Sequence, residues 1–321
     1  MYVTAMGCYV PAGRVSNDDL ARLTGKDPNW FETRTGIRTR ARAERDETTS
    51  GMACDAVRDL LVRNPRALEG VDLILAGSYT PNDTLATIAH RVQREFNIQG
   101  ANAMYLSTAC TSFVTCLEVA QAYLTTEKAS KVLIVVAEHN SLFSSDADPF
   151  SGHLWGDGAA AVIVEQTALP TTRLQICGLE SSGLGTEGSG ADALGLDISS
   201  RVINMPNGKE VFTLACQHMA KAVRQILSNH KCSLDELLAI VAHQANVRII
   251  KHVAKDLGMP LDLFPATIAE WGNTGCASIP LTLARWDACR TEDGWLVCVA
   301  FGGGYSCGSL LVRAMNSGSA S

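Results

Sequence analysis

A thiol, an imidazole and an amide lie far apart in this chain, each where an apolar run gives way to a loop. Cys110 falls in Tyr105-Leu-Ser-Thr-Ala-Cys-Thr-Ser-Phe113, His243 follows Leu237–Ala242, and Asn273 sits in Gly272-Asn-Thr-Gly275. Together, such a set can take an acyl group onto sulphur and then hold an enolate oxygen with imidazole and amide N–H groups. Separately each is ordinary. Most free cysteines are small buried hydrophobes, a lone histidine is commonly a satisfied core or surface group, and Asn beside Gly is usual in turns. Phe301-Gly-Gly-Gly-Tyr305 adds three glycines able to bring backbone N–H groups close to a ligand oxygen, as an oxyanion hole requires.

From Thr111 to Thr126, Phe113, Val114, Leu117, Ala120, Tyr123 and Leu124 recur at helical spacing, which predicts an amphipathic helix with Cys110 in its first turn. The helix dipole would favour a thiolate there by about 0.3–1 kcal/mol, lowering the thiol pKa by roughly one unit. A useful nucleophile needs a histidine as well. Trp30 and Arg34 stand four apart on a short helix that Asp27 or Asn29 can cap. Such a pair either grips an adenine ring and phosphates or makes a surface cation–π contact.

The elements that must position these groups alternate. Strand-like Val71–Gly77, Ala103–Leu106, Lys131–Glu138 and Trp155–Glu165 are interleaved with helical runs, which implies an α/β fold with crossover helices. Leu237–Ala242, Glu270–Leu281 and Trp295–Ala300 then repeat Val71–Ala76, the Cys110 region and Val132–Ala137 in order and spacing. Two duplicated αβαβα halves with mixed sheets are expected, 1–166 carrying the cysteine and 167–321 the histidine and asparagine, with the site at their seam. In Trp155-Gly-Asp-Gly158, turn chemistry is a better account than phosphate binding.

Composition narrows the partners. With 321 residues, 19% charged, a formal net charge of −6 and no basic run, the chain does not suit nucleic acid. Eleven cysteines without C-x-x-C pairs, and an N-terminus lacking a signal-peptide pattern, predict reduced thiols in the cytoplasm. No apolar run approaches the ~20 residues of a membrane span. Asn316–Ser321 reads as a frayed end.

Several longer motifs complete the pattern: W-F-E-T-R-T-G-I-R (30–38), T-A-C-T-S-F (108–113), W-G-D-G-A (155–159), M-P-N-G-K-E-V-F (205–212), H-Q-A-N-V-R-I-I (243–250), G-N-T-G-C-A-S-I-P (272–280) and F-G-G-G-Y-S-C-G-S (301–309). Over nearly its whole length the chain resembles the β-ketoacyl-[acyl-carrier-protein] synthase III family of thiolase-fold condensing enzymes. The resemblance implies that Cys110 is acylated, that His243 and Asn273 bind the malonyl thioester carbonyl, and that backbone N–H groups of Cys110 and Gly303 form an oxyanion hole. It implies further that Trp30, Arg34, Gly208, Phe212 and Asn246 line the pantetheine and nucleotide channel. Gln244, Arg248 and Lys255 would meet the acyl carrier protein, and in a homodimer Asn82–Leu85 would reach into the partner's acyl pocket. Acyl-CoA and carrier-protein thioesters are the implied substrates, with no tightly bound cofactor.

The chain departs from the family pattern in three respects, at four positions. Pro149 stands where an arginine is usual, Thr213 and Asp256 where lysines are common, and Leu85 where a bulky aromatic is common. They predict a weaker hold on the CoA nucleotide, a thinner docking patch and a deeper acyl pocket. The leading expectation is decarboxylative condensation of an acyl thioester with malonyl-ACP, in fatty-acid initiation or a specialised pathway. Acyl transfer to an oxygen or nitrogen nucleophile, and a non-catalytic partner subunit, are the alternatives. The intact Cys, His and Asn favour the first.

Overall fold

The computed structural model describes residues 1–183, 189–197, 199–200 and 202–316, so the tail 317–321 lies outside the described residues. Nine strands form one sheet: β1 (Tyr2–Tyr9), β2 (Leu73–Gly77), β3 (Asn102–Leu106), β4 (Lys131–Glu138), β5 (Gly158–Glu165), β6 (Leu174–Gly183), β7 (Leu237–Ala242), β8 (Gly294–Gly302) and β9 (Ser306–Ala314). Their spatial order is β7-β8-β9-β6-β1-β5-β4-β2-β3.

The sequence repeat reappears in the pairing. In the first half β2 runs parallel to β4, β4 antiparallel to β5 and β5 antiparallel to β1. In the second half β7 runs parallel to β8, β8 antiparallel to β9 and β9 antiparallel to β6. The two arrays are also bonded to each other, because Tyr2 and Val3 of β1 pair with Gln175 and Leu174 of β6.

Helices α1 (Thr49–Arg63), α2 (Ile88–Glu95) and α3 (Ser112–Thr125) have counterparts in α4 (Gly208–Asn229), α5 (Val247–Leu257) and α6 (Ser278–Cys289). Both α3 and α6 touch strands of both halves, which makes them the middle layer. Apolar runs without alternation in polarity follow from this layering, since a strand covered on both faces needs apolar residues on each. In β4, Val132, Ile134 and Val136 enter the central core with Leu117 and Ile279, whereas Leu133, Val135 and Ala137 enter an outer core with Met52 and Val57 of α1. The same sandwiching explains why α3 buries Phe113, Val114, Leu117, Ala120 and Leu124.

Candidate active site

Strand ends and helix starts of both halves meet at the seam. Cys110, His243 and Asn273 are 6%, 3% and 4% exposed, and all three line one narrow cavity of about 110 Å³. Gly303, Gly208, Phe212 and Asn246 line it too, as does Trp155.

Cys110 does not lie in the first turn of the helix. The helical residues begin at Ser112 with Thr111 as N-cap, so Cys110 belongs to the tight turn before it, where Ala109 takes φ +51°. The expected lowering of its pKa is also overturned: the thiol is pushed up to about 12, first by burial and then by Glu138, against the pull of the backbone N–H groups of Cys110 and Gly303. Desolvation outweighs a helix-end dipole of roughly 1 kcal/mol.

His243 leaves β7 with its N–H bonded to Val299 O at 2.8 Å. Burial pulls its imidazole down to about 4, so it is neutral near pH 7. Its Nδ1 lies 2.7 Å from Ser278 Oγ, and that oxygen already accepts the Gln244 N–H at 3.3 Å. A Ser278 hydroxyl that donates to Nδ1 leaves the imidazole proton on Nε2, the tautomer that a donor role toward the cavity requires. Asn273 is fixed similarly: its Oδ1 accepts the Gly275 N–H at 3.0 Å, so the two amide hydrogens remain as donors. Its backbone is clamped to Leu154 O and by Gly156 N–H. Ser278 lies within G-N-T-G-C-A-S-I-P (272–280), but nothing in the sequence ties it to an imidazole 35 residues away.

Gln244 corrects the expected docking set. It is buried, with Nε2 donating to Ala242 O at 2.7 Å and Oε1 accepting from Thr267 N–H at 3.0 Å, so it braces the loop and faces no partner. Arg248 and Lys255 are exposed on α5, Arg248 stacking 5.5 Å over Phe212. Asp256 is paired with Arg224 at 2.9 Å and Thr213 donates to Lys209 O, so neither of those positions adds positive charge. Asn246 caps α5 by accepting the Arg248 N–H.

Trp30 and Arg34 do not line the cavity. They sit on the helix Pro28–Thr35, capped by Asp27, with the guanidinium 4.8 Å from the indole centroid. Lys26 is also there, its amine 3.9 Å over the indole and 3.4 Å from Pro149 O, which puts a cation beside Pro149. Asp157 accepts from Ala43 N–H, Ser141 N–H and Ser141 Oγ, so it ties two distant loops together and is spent on structural contacts. Leu85 is 89% exposed on a loop whose root is held by Asn82 accepting from Ser50 and whose tip is capped by Asp83.

Family models described as 3-oxoacyl-[acyl-carrier-protein] synthase III and its C-terminal part match residues 104–183 and 227–314. A β-ketoacyl-[acyl-carrier-protein] synthase III of Lactiplantibacillus plantarum is 32% identical, across 97% of this chain and 98% of that protein. The chain belongs to the 3-oxoacyl-[acyl-carrier-protein] synthase III family. It is thus a condensing acyltransferase with a thiolase-like fold. The crystal structure of the synthase III from Thermus thermophilus superposes with a TM-score of 0.90 at 31% identity, over 99% of this chain and all of that one. A priming β-ketosynthase from a polyketide pathway superposes at 0.88 with 27% identity, over 98% of this chain and 96% of its own. Among the described residues no helix is long and apolar enough to cross a membrane.

The closeness of the Gly302–Tyr305 turn to the thiol yields a test specific to this synthase. A Cβ at Gly302 would sit 2.9 Å from Cys110 N and 3.0 Å from Cys110 Cβ, though φ −147° there suits any residue. Gly302→Ala should therefore displace the thiol without backbone strain. Acylation should slow by about tenfold or more, because misplacement of about 1 Å can cost 10²-fold. Stopped-flow acylation at the wild-type rate would show that the Cys110 turn yields freely.

Proposed function

We propose that Cys110 takes an acyl group from acyl-CoA or another acyl thioester and that the bound acyl group condenses with malonyl-ACP, giving 3-oxoacyl-ACP, carbon dioxide and the free thiol. The observation that carries this reading is the convergence of Cys110, His243 and Asn273 on one cavity, with the Asn273 amide hydrogens left as donors and the His243 ring held at Nδ1 by Ser278. The thiol proton leaves with the first thiol product as the new thioester forms. The malonyl carbonyl oxygen then accepts from His243 and Asn273, loss of carbon dioxide leaves an enolate on that oxygen, and its carbon attacks the acyl-Cys110 carbonyl. Backbone N–H groups of Cys110 and Gly303 would hold the resulting oxyanion.

In this reading Gly208, Phe212 and Asn246 guide the pantetheine, Trp30, Arg34 and Lys26 meet the nucleotide, and Arg248 and Lys255 face the carrier protein. The enzyme acts as a cytoplasmic homodimer without a tightly bound cofactor, in fatty-acid initiation or a specialised route. The division into halves 1–166 and 167–321 belongs to the same reading and is supported by the matching pairing patterns on its two sides. Intact mass after incubation with a mixed panel of acyl-CoAs tests it, because the adduct identifies the primer. Absence of an adduct with every thioester, carrier-bound ones included, would overturn it.

Primer length should follow Leu85. Its exposed side chain on a braced loop suits insertion into a partner's pocket, and an aliphatic residue there leaves room for methylenes worth about 0.8 kcal/mol each when buried. Two or three amount to roughly 1.6–2.4 kcal/mol, where ~1.4 kcal/mol is a tenfold preference. Hexanoyl or octanoyl thioesters should thus exceed acetyl in kcat/KM for acylation, and Leu85→Phe should reverse the order. A tenfold wild-type preference for acetyl, or an unchanged ranking in Leu85→Phe, removes Leu85 from this role.

A further inference from the structure

A fully buried carboxylate lies behind the thiol, and no step above uses it. Glu138 ends β4, and its oxygens accept from Ser78 Oγ (3.1 Å), Tyr79 N–H (3.3 Å), Thr80 N–H (3.1 Å) and Thr80 Oγ1, all on the segment directly after β2. From the other side Cys276 donates its S–H to Oε1 at 2.9 Å. Cys276 belongs to the turn Gly275–Ala277, whose first N–H holds Asn273 Oδ1. The turn is pressed against the carboxylate: a Cβ on Gly275, which has φ +57°, would lie 2.7 Å from Glu138 Cγ and 2.6 Å from Tyr79 Oη.

We propose that Glu138 is a positioning residue for the condensation step, locking the Asn273–Cys276 turn, and with it the Asn273 amide, to the segment after β2. The proposal rests on the condensation reading above. Its physical basis is a match of donors to an acceptor-only group. Ionised, Glu138 satisfies five donors arriving from two halves of the chain; a protonated carboxyl or a glutamine amide would turn its own hydrogens toward them. Among the described residues no Lys, Arg or His side chain bonds to it, and the titratable groups that face it are Tyr79, Tyr105, Cys110 and Cys276. Burial raises its pKa to about 7 despite those donors. As pH falls through that value the carboxylate is lost, and the lock with it.

The test separates two steps that ordinary structural damage would slow together. In Glu138→Gln, removal of a negative charge near Cys110 leaves acylation unchanged or faster, while condensation falls at least about tenfold through the displaced Asn273. The ratio of condensation to acylation in the wild type should decline below about pH 7, and in Glu138→Gln it should be low and flat across that range. Cys276→Ala should act in the same direction, and Cys276→Ser, which keeps a donor, should restore condensation. The proposal is overturned by wild-type condensation in Glu138→Gln, by an equal loss of both steps at an unchanged melting temperature, or by a Cys276→Ser no better than Cys276→Ala. Should Glu138→Gln not fold, the Cys276 pair decides alone. A wild type that acylates but never condenses malonyl thioesters would instead remove the functional reading.

Discussion

Cys110→Ala protein should form no stoichiometric acyl adduct with any thioester, the largest single effect expected in this enzyme. The competing nucleophile is Cys276, which also opens a helix after a glycine. It is 1% exposed, its hydrogen is committed to Glu138, and burial with the Glu138 charge pushes its pKa well above the ordinary thiol value. Cys110 is also raised, but unlike Cys276 it lies on the cavity wall, and the backbone N–H groups of Cys110 and Gly303 pull against the rise. A transition state that places negative charge near that sulphur finds donors already oriented, whereas at Cys276 it would meet a carboxylate. Intact mass over a panel of acyl-CoAs, followed by peptide mapping, checks this. An adduct of wild-type stoichiometry on the alanine variant would sink the assignment of Cys110, and mapping to Cys276 would say where the error lay.

The sequence carried most of the scaffold because its strands are covered on both faces. Such strands appear as unbroken apolar runs, and Lys131–Glu138 matches β4 residue for residue. The duplication was legible for the same reason, since each half repeats the buried runs its pairing pattern needs. The chemistry-bearing loops were legible by residue type but not by environment. Gln244 sits beside His243 in a motif full of polar residues, and nothing in one dimension tells a surface glutamine from one bonded to Ala242 O and Thr267 N–H. Cys110 was misplaced by two residues relative to the helix start, because its small neighbours suit a cap and a tight turn equally. Its burial, which reverses the direction of the pKa shift, depends on α4 and the Gly302–Tyr305 turn closing over it from the other half. Lys26 is unreadable for a similar reason: its position over Trp30 and beside Pro149 depends on a contact spanning 123 residues.

His243→Ala and Asn273→Ala should each keep acylation of Cys110 and lose condensation by at least about a hundredfold, roughly the effect of deleting one oxyanion donor. The separation by step follows from the charges involved. Acylation develops negative charge on the acyl oxygen, which the backbone N–H groups of Cys110 and Gly303 would meet. In the proposed reaction decarboxylation develops it on the malonyl oxygen, which the His243 and Asn273 side chains would meet. His243 can donate from Nε2 while neutral, and with its pKa near 4 it remains neutral at any pH above about 5. A decline in condensation near pH 6.5, where an unperturbed histidine titrates, would contradict the buried, Ser278-tethered imidazole if it persisted in Glu138→Gln, which lacks the carboxylate that titrates near 7. Ser278→Ala should fall between wild type and His243→Ala, because the ring stays in place while the hydroxyl that can hold its proton on Nε2 is gone. Single-turnover measurement of each step resolves the cases. If His243→Ala stayed folded but failed to acylate, the imidazole would be acting on the Cys110 proton instead, and the neutral-donor role would have to be abandoned.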